Sequence, residues 1–193
     1  MSLPLFPVFL KLEGRPVVVV GAGRVAAARL AALLEAGAQV TVVAPDVRPE
    51  IPRPGVVVRQ RAFAPADLEG AWLVVAAATP EVNRQVVAAA EARQVFVNAV
   101  DDAAVATAYT GGVLRRGGVT LAVSTEGRAP ALAGLLREAL EAVLPEEIDV
   151  WIREAHALRE RQRAEGRPFP ERRPQLLRAL NALYESREAP KAS

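Results

Sequence analysis

Residues 17–26 read Val-Val-Val-Val-Gly-Ala-Gly-Arg-Val-Ala. The four β-branched residues predict a strand, the glycines a tight turn, and the stretch after them a helix. A strand, a Gly-x-Gly-x-x-Ala turn and a helix, in that order, are typical of a dinucleotide-binding βαβ unit. Gly21 would permit the turn, Gly23 would let the backbone approach a pyrophosphate, and the helix beginning near Arg24 would offer unpaired N–H groups. The alternative is a glycine turn that only packs helix on strand.

The sequence around this turn alternates short apolar runs with helix-periodic stretches. Helices are predicted over 25–36 and 80–93, and strands over 16–21, 39–44, 56–60, 72–77 and 95–99. Strands that are apolar throughout, without alternation, are those covered on both faces. The predicted fold class is therefore α/β, with a Rossmann-like, doubly wound parallel sheet.

The pattern changes after about residue 108. Two strands over 109–114 and 120–124 would form a hairpin-like addition joined by Arg115–Gly118, and a helix is predicted over 130–143. From 146 onward the chain is helical and rich in arginine. The predicted parts are a nucleotide-binding domain over 1–110, a small segment of strands plus a helix over 111–145, and a helical region over 146–193.

The composition excludes several classes of function. The chain contains no cysteine, which rules out disulfides, thiolate metal ligands and a cysteine nucleophile, and which fits a cytoplasmic protein. There is no apolar run of the roughly 20 residues that span a membrane, and the N-terminus does not have the pattern of a signal peptide. The net charge of +2 and the lack of interleaved aromatic residues argue against a nucleic-acid partner. His156 is the only histidine, so neither histidine catalysis nor a metal site is expected.

Two positions bear on the nucleotide and the chemistry. Asp46, just beyond the second predicted strand, could bind a ribose, whereas Arg24 or Arg48 could instead meet the 2′-phosphate of NADP. NAD is preferred over NADP on this evidence. The fifth strand is followed by Asp101, which could be a catalytic carboxylate facing a nicotinamide or an ordinary helix N-cap.

Together these motifs resemble the precorrin-2 dehydrogenase / sirohydrochlorin ferrochelatase family, which includes the N-terminal module of siroheme synthases and stand-alone relatives. The resemblance covers roughly residues 4 to 145 and is carried by the order and spacing of several short motifs. These are Leu5-Phe-Pro-Val-Phe-Leu-Lys-Leu12, Val20-Gly-Ala-Gly-Arg-Val-Ala26, Leu34-Glu-Ala-Gly-Ala38, Val43-Ala-Pro45, Ala77-Ala-Thr-Pro-Glu-Val-Asn83, Val97-Asn-Ala-Val-Asp101, Ala122-Val-Ser-Thr-Glu-Gly-Arg-Ala-Pro130 and Leu135-Leu-Arg-Glu138.

The resemblance implies NAD-dependent oxidation of precorrin-2 to sirohydrochlorin in siroheme biosynthesis. It also implies a homodimer held by the 111–145 segment, and a tetrapyrrole cleft between the Rossmann and dimerisation parts. The family's aspartate falls on Asp101, which would accept or relay a proton. Its nucleotide contacts fall on Gly21, Gly23, Arg24, Val25, Ala44, Pro45 and Thr79. The expected substrate contacts are Ser124, Thr125 and Arg128. Of these, Arg128 is expected to bind a carboxylate of precorrin-2, because guanidinium groups pair well with carboxylates.

The sequence departs from the family in the loop before the long helix. Where relatives often have Ser-x-Gly-Gly-x-Ser-Pro, this chain has Ser124-Thr-Glu-Gly-Arg-Ala-Pro130, so Thr125 stands where some relatives place a serine. A length of 193 residues leaves no room for the methyltransferase domain of fused siroheme synthases, so precorrin-2 is expected to be made elsewhere. The resemblance leaves iron insertion open. The alternative functions are an NAD-sensing regulatory Rossmann module without catalysis and a purely structural dimerisation protein.

Overall fold

The structure, a computed structural model, describes residues 4–51, 53–100, 102, 104–166 and 168–188. The chain divides into two compact units, one formed by Met1–Thr110 with Glu126–Ala129 and the other by Gly111–Thr125 with Pro130–Ser193. No helix in the described part of the chain is both long enough and apolar enough to cross a membrane.

The first unit contains a parallel sheet of five strands in the order β3-β2-β1-β4-β5. In chain order its elements are β1 (Pro16–Val20), α1 (Arg24–Glu35), β2 (Gln39–Val43), β3 (Val56–Arg59), a 3₁₀ turn (Pro65–Leu68), β4 (Leu73–Ala76), α2 (Pro80–Glu91) and β5 (Phe96–Ala99). Every predicted strand and both predicted helices are present, with ends that differ by one or two residues. The 3₁₀ turn is too short to give a periodic signal, and the sequence did not predict it.

The sheet is buried on both faces because successive side chains of each strand point to opposite sides. Val17 and Val19 of β1 pack with Leu30 of α1 on one face. Val18 and Val20 pack on the other face with α2 and the 3₁₀ turn. Each face thus buries an apolar layer under a helix, and the predicted Rossmann-like, doubly wound α/β class is confirmed.

The second unit contains an antiparallel pair of strands and three helices among its described residues. They are β6 (Gly112–Arg116), β7 (Val119–Val123), α3 (Pro130–Val143), α4 (Ile148–Ala164) and α5 (Phe169–Glu188). α3 packs closely on β6, since a Cβ atom on Gly112 would lie 2.9 Å from the carbonyl oxygen of Ala133. α4 and α5 contact each other, and Gln162 Nε2 donates to Gln175 Oε1 at 2.7 Å.

The hairpin turn is tighter than predicted. Arg115 and Arg116, expected in the connecting loop, belong to β6, and Arg116 pairs with Val119. The turn is therefore the two residues Gly117 and Gly118, with φ of 53° and 84°. A two-residue hairpin whose central residues both have positive φ has the twist that suits adjoining antiparallel strands, and glycine adopts it without strain.

Candidate functional site

Gly21 makes the sharp turn that ends β1. Its φ is 102°, and a Cβ atom there would lie 2.3 Å from the carbonyl oxygen of Ala77, which directly follows the neighbouring strand β4. Its N–H donates to the carbonyl oxygen of Val43 at 2.9 Å, so the turn is tied to the end of β2 as well. Only glycine satisfies both the backbone angle and the close approach.

Gly23 has a different environment. It precedes α1 with extended backbone angles, φ −84° and ψ −170°. A Cβ atom on Gly23 would meet no described heavy atom within 4 Å, so its backbone borders open space. The next residues, Arg24 and Val25, form the first turn of α1, whose N–H groups have no intrahelical acceptor. Among the described residues no side chain caps this end and no acidic side chain lies in the first turn, which leaves it suited to an anion.

A cleft of about 320 Å³ lies at the carboxyl ends of β1, β2 and β4. Ligands of open α/β sheets bind beyond this edge of the sheet. The cleft is lined by Val20, Gly21, Ala22, Gly23, Val43, Ala44, Pro45, Asp46, Ala62, Phe63, Ala77, Ala78, Thr79 and Val82. The structure thus brings together five of the seven predicted nucleotide contacts. Arg24 and Val25 are not in the lining, although they directly follow Gly23.

The wall after β4 is held in place by two side chains. Asn83 Oδ1 accepts from the N–H of Ala78 at 2.9 Å, and Asn83 Nδ2 donates to the carbonyl oxygen of Ala78 at 3.3 Å. Thr79 is the N-cap of α2, with Oγ1 at 3.5 Å from the N–H of Val82. Thr79, one of the predicted nucleotide contacts, therefore lines the cleft and also caps α2.

The wall after β3 was not predicted as part of the site. Ala62 and Phe63 line the cleft, and their loop closes around the buried carboxylate of Asp67. Asp67 Oδ1 accepts from Arg59 Nη1 at 2.8 Å and from Arg61 Nη2 at 2.5 Å. Its Oδ2 accepts from Arg61 Nη1 at 2.8 Å and from the N–H of Ala64 at 3.0 Å. We call Arg59, Arg61 and Asp67 the arginine clamp.

The clamp has a pronounced electrostatic consequence. The hydrogen bond from Arg61 is the largest of the effects that lower the pKa of the Asp67 carboxyl to about 2. Burial opposes this change by raising the pKa, while the bonds from Ala64 and Arg59 add to the lowering. Asp67 is therefore a carboxylate at neutral pH, and its charge is matched by the two guanidinium groups.

Of the three side chains expected to choose between NAD and NADP, Arg24 begins α1, whereas Asp46 and Arg48 follow β2. Asp46 is exposed and lines the cleft, as a ribose ligand should. Arg48 is bound to a neighbour, with Nε 2.6 Å from Glu50 Oε1. A backbone hydrogen bond at Glu50 and the Arg48 side chain together lower the pKa of the Glu50 carboxyl.

The end of β5 holds the predicted catalytic position. Asp101 lies outside the described residues, one residue after Val100 and two residues after Ala99, where β5 ends. Asn98, from the same motif, is buried, and its Nδ2 donates to the carbonyl oxygen of Ala108 at 2.9 Å. Its Oδ1 accepts no hydrogen bond from the part of the chain that the structure describes.

The predicted substrate contacts follow β7. Arg128 is exposed and forms an ion pair with Glu126, and both residues belong to the first unit. Ser124 and Thr125 belong to the second unit. Within the described ranges no group of three or more histidine, cysteine or acidic side chains could hold a metal ion, and the single histidine, His156, is exposed on α4.

The parallel sheet, the glycine turn and the cleft beyond it define a Rossmann-type nucleotide-binding protein. Residues 8–112 match a family model described as putative NAD(P)-binding, and residues 116–142 match one described as sirohaem biosynthesis protein central. The chain belongs to this NAD(P)-binding family of siroheme-biosynthesis proteins, which confirms the family that the sequence motifs indicated.

Individual relatives point to the same family. The chain is 40% identical over 181 residues to siroheme synthase 3 of Aeromonas hydrophila, covering 91% of this chain and 39% of that protein. It is 41% identical over 144 residues to the siroheme synthase of Methylobacillus flagellatus, covering 72% and 31%. It spans about two fifths of the length of the first of these relatives. A solved structure titled SirC, precorrin-2 dehydrogenase, superposes with a TM-score of 0.73 at 26% identity, covering 90% of this chain and 88% of that one.

Proposed function

We propose that this chain binds NAD in the cleft after the glycine turn and uses it to oxidise precorrin-2 to sirohydrochlorin. The observation that carries the proposal is the open backbone of Gly23 at the start of α1, beside a cleft bordered by the ends of three parallel strands. The names of the relatives, siroheme synthase and precorrin-2 dehydrogenase, support the substrate.

The residues of the cleft suit the parts of the coenzyme. The N–H groups at the start of α1 would bind the pyrophosphate, and Ala44, Pro45 and Asp46 would border the ribose. The loop around Thr79 would form the opposite wall. When bound, NAD supplies the acceptor for a hydride. The substrate must lose a proton as well as that hydride, so the site also needs a base.

We assign that base to Asp101, which would accept or relay the proton. Its place in the Asn98-Ala-Val-Asp101 motif supports the assignment, because catalytic groups of open α/β sheets follow the carboxyl ends of the strands. Arg128 is proposed to bind a substrate carboxylate, with Ser124 and Thr125 from the same loop.

The test is Asp101→Asn, assayed for both turnover and binding under anaerobic conditions. We expect NADH formation from precorrin-2 to fall by about a thousandfold or more, within the range that a lost proton acceptor costs, while the Kd for NAD stays within about twofold. Asp102→Asn, one residue away, is the matched control. Normal turnover in the Asp101 variant would remove the assignment. A wild-type chain that binds NAD without oxidising precorrin-2 would favour a nucleotide sensor.

We further propose that the chain is a cytoplasmic homodimer, joined through its 111–145 segment. Support comes from α3, whose Ala133 is buried but which exposes a row of apolar side chains along its length. The exposed members of this row are Leu132, Leu135, Leu136, Leu140 and Val143. A second copy of this chain offers the same row, and contiguous exposed apolar surfaces mark protein interfaces. Within the second unit, we propose that the helices over 146–193 form a part separate from the 111–145 segment.

A further inference from the structure

Two arginines stand next to the proposed ribose site. β3 is the neighbour of β2 in the sheet, and Arg59, the last residue of β3, pairs with Val43, the last residue of β2. The N–H of Ala44 donates to the carbonyl oxygen of Arg59 at 3.3 Å. Because Ala44, Pro45 and Ala62 line the cleft, Arg59 and Arg61 lie close to the proposed ribose site, where the additional phosphate of NADP would lie.

The guanidinium groups of both arginines are engaged by one carboxylate. Arg61 makes two hydrogen bonds to Asp67, and Arg59 makes one. The Asp67 side chain is only 1% exposed, whereas those of Arg59 and Arg61 are 47% and 49% exposed. The carboxylate thus anchors two surface cations whose outer parts still face solvent near the cleft.

We propose that Asp67 is a positioning residue that sets coenzyme specificity, because it holds Arg59 and Arg61 away from a 2′-phosphate and so favours NAD over NADP. The inference rests on the proposed binding of NAD in this cleft. A guanidinium pairs bidentately with a phosphate as readily as with a carboxylate, so the clamp and a 2′-phosphate would compete for the same donors. Arg48 is similarly paired, with Glu50.

The test measures the Kd of NAD and of NADP for the wild type and for Asp67→Asn by calorimetry. Loss of the carboxylate removes the ion pairs of both guanidinium groups, and we expect the ratio of the NADP Kd to the NAD Kd to fall by about tenfold or more. A merely structural role would weaken both nucleotides together and leave the ratio unchanged. The triple variant Arg59→Gln, Arg61→Gln, Asp67→Asn lacks the freed cations and should return the ratio to the wild-type value.

Asp149→Asn is the matched control. It also removes an aspartate from an ion pair, with Arg153 on α4, and should leave the ratio unchanged. A folded Asp67→Asn protein with an unchanged ratio would overturn the proposal, as would a changed ratio that persists in the triple variant.

A second variant covers the case in which Asp67→Asn does not fold. Ala62→Arg adds an unpaired cation at an exposed position in the cleft wall and leaves the clamp intact. It should lower the same ratio by about tenfold, and an unchanged ratio would show that this loop does not reach the 2′ position, which overturns the proposal. If the wild type binds neither nucleotide, the proposed function fails as well. If it binds NAD and only the ratios fail to change, the proposed function stands.

Discussion

Gly21 and Gly23 lie two residues apart in one motif, but only Gly21 is constrained by its backbone angle and its neighbours. At Gly21 the backbone angle and the nearby Ala77 carbonyl oxygen both exclude a side chain. At Gly23 neither constraint applies, since φ is negative and the described surroundings are open. The first glycine is therefore required by the fold, and the second is required only if something binds beside it.

This contrast predicts different outcomes for the same substitution. Gly21→Ala should lower the free energy of unfolding by roughly 2–4 kcal/mol, because it combines backbone strain with a steric clash. Gly23→Ala should change stability by less than about 1 kcal/mol, the usual scale of an N-cap substitution, while weakening NAD binding by about tenfold. Urea denaturation and calorimetry measure the two effects. NAD binding of wild-type strength by a folded Gly23→Ala variant would contradict the placement of the pyrophosphate.

The arginine clamp joins β3 to the 3₁₀ turn, and its effect on stability should depend on pH. The folded pKa of Asp67, about 2, is below its ordinary value of 3.8. The clamp therefore contributes stability above about pH 4, and this contribution is lost as the pH falls towards 2. The shift corresponds to roughly 2 kcal/mol for this buried group.

Urea denaturation as a function of pH tests this expectation. The wild type should lose about 2 kcal/mol more than Asp67→Asn does between neutral pH and pH values near 2, because the asparagine does not titrate. The same acid sensitivity in both proteins would show that other carboxylates govern it.

The apolar row of α3 carries the prediction of a dimer. Leu135 is 62% exposed in the single chain, and Leu135→Glu would place a charge in the proposed interface. Association should weaken by about tenfold or more, measured by sedimentation equilibrium. Glu138→Gln, on the same helix and with a side chain 62% exposed, is the control. A wild-type chain that is a monomer at every concentration would contradict the dimer.

The elements of the first unit could be predicted because its strands are short, mostly apolar runs rich in valine, and because glycines mark the turn after β1 and the end of α1. The walls of the cleft were only partly predictable. The glycine turn, Ala44, Pro45 and Thr79 belong to recognisable motifs, but Phe63 and Asp67 do not. Their role depends on β3 lying beside β2, and strand order across a sheet is not encoded in local periodicity. A charged pair separated by six or eight residues likewise gives no sequence signal of its own.

At the scale of the whole molecule, the chain combines two compact units, to which we assign different proposed roles. The first contains the complete cleft, since every residue that lines it belongs to Met1–Thr110. The second contains the proposed dimer surface and the helices α4 and α5. We propose that the first unit alone binds the nucleotide, and that the second unit contributes to assembly and, through Ser124 and Thr125, to the substrate loop.

The most direct test of the central claim is the stoichiometry of the proposed reaction. Wild-type protein would be mixed anaerobically with NAD and precorrin-2 generated in place, without metal, and the absorbance spectra of NADH and sirohydrochlorin would be followed together. We expect both products to rise at the same rate and in equal amounts. Binding of NAD without formation of NADH, or sirohydrochlorin formed in the absence of NAD, would contradict the proposal.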